Sequence, residues 1–202
     1  MSSSEVVPLS RFGVSDPRFH EYVPTSYRTF RQAMLLAEVK PDDVFVDYGS
    51  GMGRAVVLAA TYPFAKVVGV ELVPELNAIA EQNLAQARAR NRLRCSDVEL
   101  ITADATRFIP PREATQLFFY NPFSEEILCA VLENVRPTFQ ERTLIYISPS
   151  TDTRMDRIAH RFPWLVETRR EARVEGGTVT VYRARVIEPV AAESCEEAEG
   201  LA

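Results

Sequence analysis

Apolar and polar positions fall into short blocks along this chain, and the period changes from one block to the next. In TSYRTFRQAMLLAEV (25–39), Phe30, Met34 and Leu35, with Leu36 and Ala37 beside them, share one face of a 3.6-residue period. That spacing predicts an amphipathic helix stopping before Pro41, with Thr25 or Ser26 as its N-cap. VFVDY (44–48) reads as a buried strand and RAVVLAATY (54–62) as a helix. KVVGVEL (66–72) is a second strand, and Pro74 opens a long helix over 74–93, a proline being tolerated in the first helical turn. DVELITAD (97–104) and QLFFYNPF (116–123) read as the third and fourth strands, SEEILCAVLENVRP (124–137) as a helix and RTLIYISP (142–149) as the fifth strand. A helix over RMDRIAHRF (154–162) follows. WLVETRREARV and TVTVYRARV then flank Glu175, Gly176 and Gly177, the pattern of an antiparallel hairpin.

Strands that alternate with helices require a parallel sheet covered on both faces. The expected fold is therefore α/β: a doubly wound, mostly parallel seven-stranded sheet with an antiparallel C-terminal hairpin. One domain is expected over 21–187, preceded by an extended arm over 1–20. From Glu188 onward the chain carries five glutamates and no basic residue, which predicts a disordered acidic tail over 188–202. Without those five, 23 acidic residues balance 23 basic ones, so the net charge of −5 belongs to the tail. Strong nonspecific nucleic-acid binding is not expected of such a chain. The arginines of RARNRLR, at the end of the third helix, read as cations beside a helix C-terminus or as a local nucleic-acid patch.

Three dispersed cysteines (Cys95, Cys129, Cys195) and two histidines (His20, His160) give neither a disulfide framework nor a metal-ligand spacing, so no metal is expected. No apolar run reaches the roughly 18 residues of a membrane span, and the start, MSSSEVVPLSRFG, lacks the basic and apolar regions of a signal peptide. A cytoplasmic protein without membrane contact is the expectation.

The chemistry lies in VFVDYGSGMGR (44–54). Glycines at 49, 51 and 53 let backbone approach a ligand closely. A dinucleotide loop would need its third glycine at 54, where Arg54 stands, and a P-loop would end Gly-Lys-Ser/Thr. DYGSGMGR instead resembles motif I of class I S-adenosylmethionine (SAM)-dependent methyltransferases, in which an acidic residue ends the first strand and GxGxG follows. Asp47 suits a cofactor that carries cationic groups and no phosphate. By the same resemblance Glu71, ending the second strand, binds both ribose hydroxyls, Asp104 holds the adenine amino group, and Asn121 and Pro122 form motif IV beside the transferred methyl. Asp104 has a second reading, as the cap of the following turn.

EYVPTSYRTF (21–30) resembles the N-terminal SAM-binding segment of non-SET protein-lysine methyltransferases, including the telomeric-silencing-disruptor family that methylates a histone lysine. The resemblance places Tyr22 and Thr25 over the methionine end of SAM; read from the residues alone, Tyr22 packs and Thr25 caps a helix. It spans 20–187 at the level of fold and is most specific over 22–123. Histone specificity is not expected, because a basic nucleosome-binding extension has no counterpart here. Asn121-Pro122-Phe123 also resembles the Asn-Pro-Pro-Phe/Tyr signature of amino-group methyltransferases, without its second proline. There the asparagine side chain and a following backbone carbonyl accept hydrogen bonds from the target nitrogen and aim its lone pair. Phe123 walls an acceptor channel or belongs to the core.

These readings imply SAM as cofactor and methyl transfer to an amino nitrogen such as a protein lysine, with Asn121 orienting the acceptor, Tyr22 as a further contact and no general base. A small-molecule N- or O-methyltransferase and a non-catalytic SAM-binding module are the alternatives; an NAD-dependent oxidoreductase is disfavoured by Arg54 and the terminal hairpin.

Overall fold

A computed structural model describes residues 6–136, 140–148, 154–173 and 175–186. The tail expected over 188–202 lies outside the described residues, as does Cys195. Helix α1 (Tyr27–Leu36) precedes β1 (Val44–Tyr48), α2 (Arg54–Ala59), β2 (Lys66–Glu71), α3 (Pro74–Ala89), β3 (Val98–Thr102) and β4 (Gln116–Tyr120). Then come α4 (Glu125–Val135), β5 (Arg142–Ser148), α5 (Arg154–Ala159), β6 (Leu165–Ala172) and β7 (Thr178–Ala184). The seven strands lie in the order β3-β2-β1-β4-β5-β7-β6. The first five are parallel; β7 runs antiparallel to both β5 and β6. The expected α/β sheet is thus the observed one.

Side chains of a strand alternate between the two faces of a sheet, so each central strand supplies two cores. Val46, Tyr48, Leu117 and Phe119 pack on one face with Leu128, Val131 and Leu132 of α4 and Met155 and Ile158 of α5. Phe45, Phe118 and Ile145 point to the other face, against Phe30, Ala33 and Met34 of α1 and Val56 and Ala59 of α2. The near-continuous apolar run of β1 follows from burial on both sides, since all five of its residues are buried.

Several elements end earlier than periodicity indicates. Helix α2 stops at Ala59, because Thr61 and Tyr62 close a turn ahead of Pro63, and a residue before proline is pushed out of helical geometry. Helix α3 stops at Ala89, where Asn91 takes a left-handed conformation (φ 50°) and Arg92 N–H donates to the Ala87 carbonyl. Strand β4 ends at Tyr120, since Asn121 also turns left-handed (φ 42°). Ser26, and not Thr25, caps α1, its side chain accepting from the Thr29 N–H. The arm is folded against the domain: Leu9–Phe12 form a 3-10 turn, Val7 exchanges two backbone hydrogen bonds with Tyr22, and Phe19 bridges to Phe123. No helix among the described residues is long and apolar enough to cross a membrane.

The sheet order reverses between β1 and β4, and in such sheets the carboxyl ends of the strands at that point open a crevice. Close packing keeps α2 and α3 beside it. Gly53, at the start of α2, has φ 74°, and a Cβ there would lie 2.7 Å from the Ala80 Cβ of α3. Gly53→Ala is therefore expected to destabilise the fold by about 1–3 kcal/mol in urea unfolding; an unchanged midpoint would show that α3 yields freely.

Candidate functional site

The crevice is built from four strand ends and the arm. Strand β1 contributes Asp47, and the loop after it Gly49, Ser50 and Gly51; β2 contributes Val70 and Glu71. Leu72, Leu76, Ala103 and Ala105 add apolar lining, and Tyr22 and Thr25 from the segment that follows the arm, with Pro122, complete it. Seven of the ten residues singled out in the sequence (Tyr22, Thr25, Asp47, Gly49, Gly51, Glu71 and Pro122) line this one space.

The glycine loop is held from beneath. Gly49 and Ser50 both donate N–H to the Val70 carbonyl, at 2.9 and 3.0 Å, turning the chain at the end of β1. Gly51 N–H donates to Glu71 Oε2 at 2.7 Å, and Val73 N–H donates to the other oxygen, Oε1, at 2.9 Å. Glu71 therefore joins the loop to the entry of α3. Its burial pushes the carboxyl pKa up, partly offset by hydrogen bonds from the backbone of Val73, Gly51 and Leu72. Gly51 has to be glycine twice over: its φ is 54°, and a Cβ would fall 2.2 Å from Cδ2 of the Tyr22 ring. Gly49 is similarly pressed by Pro122, 2.7 Å from where its Cβ would stand.

Asp47 is only 3% exposed, and its side chain has no hydrogen-bond partner among the described residues. Burial and then the negative charge of Glu71 push its carboxyl up to about 8. An uncompensated buried carboxyl is costly, and here it sits on the wall of an open crevice, where a cationic ligand group could compensate it. Ser50, which lines the same crevice, has a buried Oγ that also finds no hydrogen-bond partner among the described residues. The Tyr22 phenol is raised by its burial; Arg54 opposes that rise, and Asp47 and Glu71 add to it.

Three of the ten residues do not line the crevice. Gly53 lies behind it, against Ala80. Asp104 lies between the lining residues Ala103 and Ala105, but its Oδ1 accepts from the N–H and the hydroxyl of Thr106, at 2.8 and 2.7 Å. The turn-capping reading of Asp104 is the one its geometry supports. Asn121 lines an adjoining hollow with Phe19, His20, Glu21, Val23 and Tyr120. Its Oδ1 accepts from the Tyr146 hydroxyl at 3.0 Å, and its carbonyl from His20 Nδ1 at 2.8 Å. Phe123 borders the crevice and not the adjoining hollow, is buried in the core, and meets Phe19 edge-on with ring centres 6.3 Å apart.

Sequence reading missed the apolar lining of the crevice and His20. Leu72, Leu76, Ala103 and Ala105 carry no pattern apart from core residues. His20 was visible only as one of two histidines, with nothing in the chain near it to indicate a partner.

Two buried carboxyl groups, a close-approach glycine loop and apolar lining residues together fit SAM, which when bound supplies a methyl group on a positively charged sulfur. The buried Asp47 also makes a claim about stability. Its carboxyl titrates near 3.8 when unfolded and near 8 when folded, so folding favours the neutral form. The fold accordingly loses stability as pH rises from about 4 to about 8 and no further above that. Without cofactor, Asp47→Asn is expected to melt above the parent chain by a margin that grows across that window; a margin independent of pH would contradict the burial of the charge.

Comparison with known proteins agrees with this geometry. The family model for histone methylation protein DOT1 matches residues 20–128, just over half of the chain. A protein-lysine N-methyltransferase of Saccharolobus islandicus is 37% identical over 73 residues, which cover 34% of this chain and 45% of the relative. A protein-L-isoaspartate O-methyltransferase of Pyrococcus horikoshii is 26% identical over 102 residues, 50% of this chain and 44% of the relative. The matched segment thus spans less than half the length of either protein. Among solved structures, an RNA methyltransferase from Salinibacter ruber in complex with S-adenosylhomocysteine aligns with a TM-score of 0.61 and 26% identity, covering 83% of this chain and 97% of that one. With the glycine loop, its acidic neighbours and Tyr22 and Thr25 all inside the matched segment, the chain belongs to the histone methylation protein DOT1 family, and its fold and cofactor class are those of SAM-dependent methyltransferases.

Proposed function

We propose that this chain transfers a methyl group from SAM to an amino nitrogen, with the side chain of a protein lysine as the acceptor. The observation that carries the reading is the pairing of two spaces. A crevice with an uncompensated buried carboxyl adjoins a hollow lined by Asn121, and Phe19, His20, Glu21, Val23 and Tyr120 border both. Asp47 would meet the cofactor's ammonium, Glu71 the ribose hydroxyls, and Tyr22 and Thr25 the methionine end; Leu72, Leu76, Ala103 and Ala105 would hold the adenine. The relative from Saccharolobus islandicus supports the lysine acceptor, and the family match supports a protein one.

In the acceptor hollow an amine would run its apolar stem between Phe19, Val23 and Tyr120, with the carboxylate of Glu21 near the rim. Asn121 Oδ1 and the Pro122 carbonyl would orient the nitrogen. Each already accepts one hydrogen bond, from Tyr146 and from the His20 backbone N–H, and a carbonyl oxygen has a second lone pair to offer. The nitrogen must be neutral to attack, and water takes its proton as it enters an apolar space. Transfer is then a matter of alignment. A cytoplasmic site of action belongs to the same reading and is supported by the free thiols of Cys95 and Cys129.

Tritiated SAM incubated with the chain and a cell lysate is expected to label the protein fraction at lysine. Label confined to small molecules would replace the acceptor by a metabolite, and label in RNA would replace it by a nucleic acid. Asn121→Ala is expected to slow transfer roughly 10- to 100-fold while SAM affinity, measured by calorimetry, changes less than about twofold. The reverse pattern would remove Asn121 from the acceptor side.

A further inference from the structure

We propose that His20 is a positioning residue for methyl transfer, acting through the backbone of the Asn121–Phe123 turn. The proposal rests on the reading that transfer takes place at that turn. Asn121 holds a left-handed conformation (φ 42°), one that asparagine adopts more readily than other residues with a side chain, and contacts from outside the turn hold it there. Those contacts are visible atom by atom. The carbonyl of Asn121 accepts from His20 Nδ1 at 2.8 Å, and the carbonyl of Pro122 from the His20 backbone N–H at 3.2 Å. The carbonyl of Phe123 accepts from Arg154 Nη1. Three consecutive carbonyls of the turn are thus held by two side chains and one backbone group from outside it.

The chemistry of the partners fixes the state of the ring. A carbonyl only accepts, so Nδ1 carries the proton and Nε2 presents its lone pair. Arg154 Nη1, 3.1 Å away, donates to that lone pair. This nitrogen bears two N–H groups, one for Nε2 and one for the Phe123 carbonyl, so both bonds form together. His20 therefore cannot take a proton from the acceptor, because its lone pair is committed to arginine. It acts by holding the turn.

Its location gives the hold a consequence. His20 borders both the cofactor crevice and the Asn121 hollow. It comes from the arm, 101 residues before Asn121, and Arg154 comes from α5, 134 residues after His20. The ring ties three distant segments at the boundary that a methyl group has to cross. Other contacts hold the arm in place independently: Ser124 N–H donates to the Arg18 carbonyl at 2.8 Å, and Phe19 packs on Phe123. Loss of the imidazole is therefore expected to loosen the turn without releasing the arm.

Two measurements test this on the full chain. With ¹⁵N-labelled histidine, the two side chains can be told apart through His160→Gln, and His20 is expected as the Nδ1–H tautomer, perturbed by Arg154→Ala. The Nε2–H tautomer, or a freely exchanging mixture, would overturn the proposal whatever the acceptor is. For activity, tritiated methyl is followed from saturating SAM into the lysate fraction that the parent chain labels. His20→Ala is expected to slow transfer roughly 10- to 100-fold with SAM affinity changed less than about twofold. His20→Asn, whose amide N–H reaches from the position of Nδ1, should restore most of the rate, and His20→Gln should not. Equal impairment of the Ala and Asn variants, an unimpaired Ala variant, or a loss confined to SAM affinity would each overturn it. Absence of any labelled fraction with the parent chain would sink the methyl-transfer reading alone and leave the tautomer result standing.

Discussion

A single buried carboxylate, Glu71, organises this site by accepting a backbone hydrogen bond on each of its oxygens. One comes from Gly51 in the loop after β1 and the other from Val73 ahead of α3. Hydrogen bonds to an ionised group are the strong ones, and these two add to the bonds that Gly49 and Ser50 make to the Val70 carbonyl, tying the loop to the end of β2 and the entry of α3. With the loop so fixed, Gly51 can lie flat beneath the Tyr22 ring, Gly49 can pass close to Pro122, and the floor of the crevice is made of backbone. The same carboxylate adds its negative charge to the neighbourhood of Asp47.

That arrangement is expensive for an empty protein. Two carboxyl groups are buried together, one of them without a hydrogen bond among the described residues, and desolvation raises both. Groups that destabilise a fold are retained where a ligand compensates them. The crevice is lined by this acidic pair and by the apolar Leu72, Leu76, Ala103 and Ala105. Such compensation explains why an acidic pair sits where a phosphate-binding loop would need positive potential.

The arm is as much a part of the site as the sheet is. Its end brings His20 onto the turn after β4, and Tyr22 directly after it lies on the glycine loop, so a segment outside the alternating sheet borders both spaces. The matched family segment starts at residue 20, at the head of this stretch, and runs to residue 128 in α4. Arg173 gives the far side a related support. Its guanidinium donates to the Tyr120 hydroxyl, to the Ser148 carbonyl and to Glu175, tying the β6–β7 hairpin to the residue that precedes Asn121.

What the sequence determined by itself was whatever local spacing can encode. Period-two and period-3.6 blocks gave the order of strands and helices and, with it, a parallel sheet and its hairpin. Glycines two apart after an acid-ended strand gave the loop, and Asp47 and Glu71 followed because they stand at strand ends. Element ends were less legible, since Asn91 and Asn121 stop α3 and β4 through a backbone conformation that apolar periodicity does not register. Only the tertiary structure decided the rest. Asp104 turned to Thr106, although its position in the chain suited a ligand equally well. Gly53 serves the approach of Ala80, and His20 finds Asn121 and Arg154 across more than a hundred residues. A hydrogen bond depends on where two atoms meet in space, and residues that far apart in the chain share no local pattern that could announce the meeting.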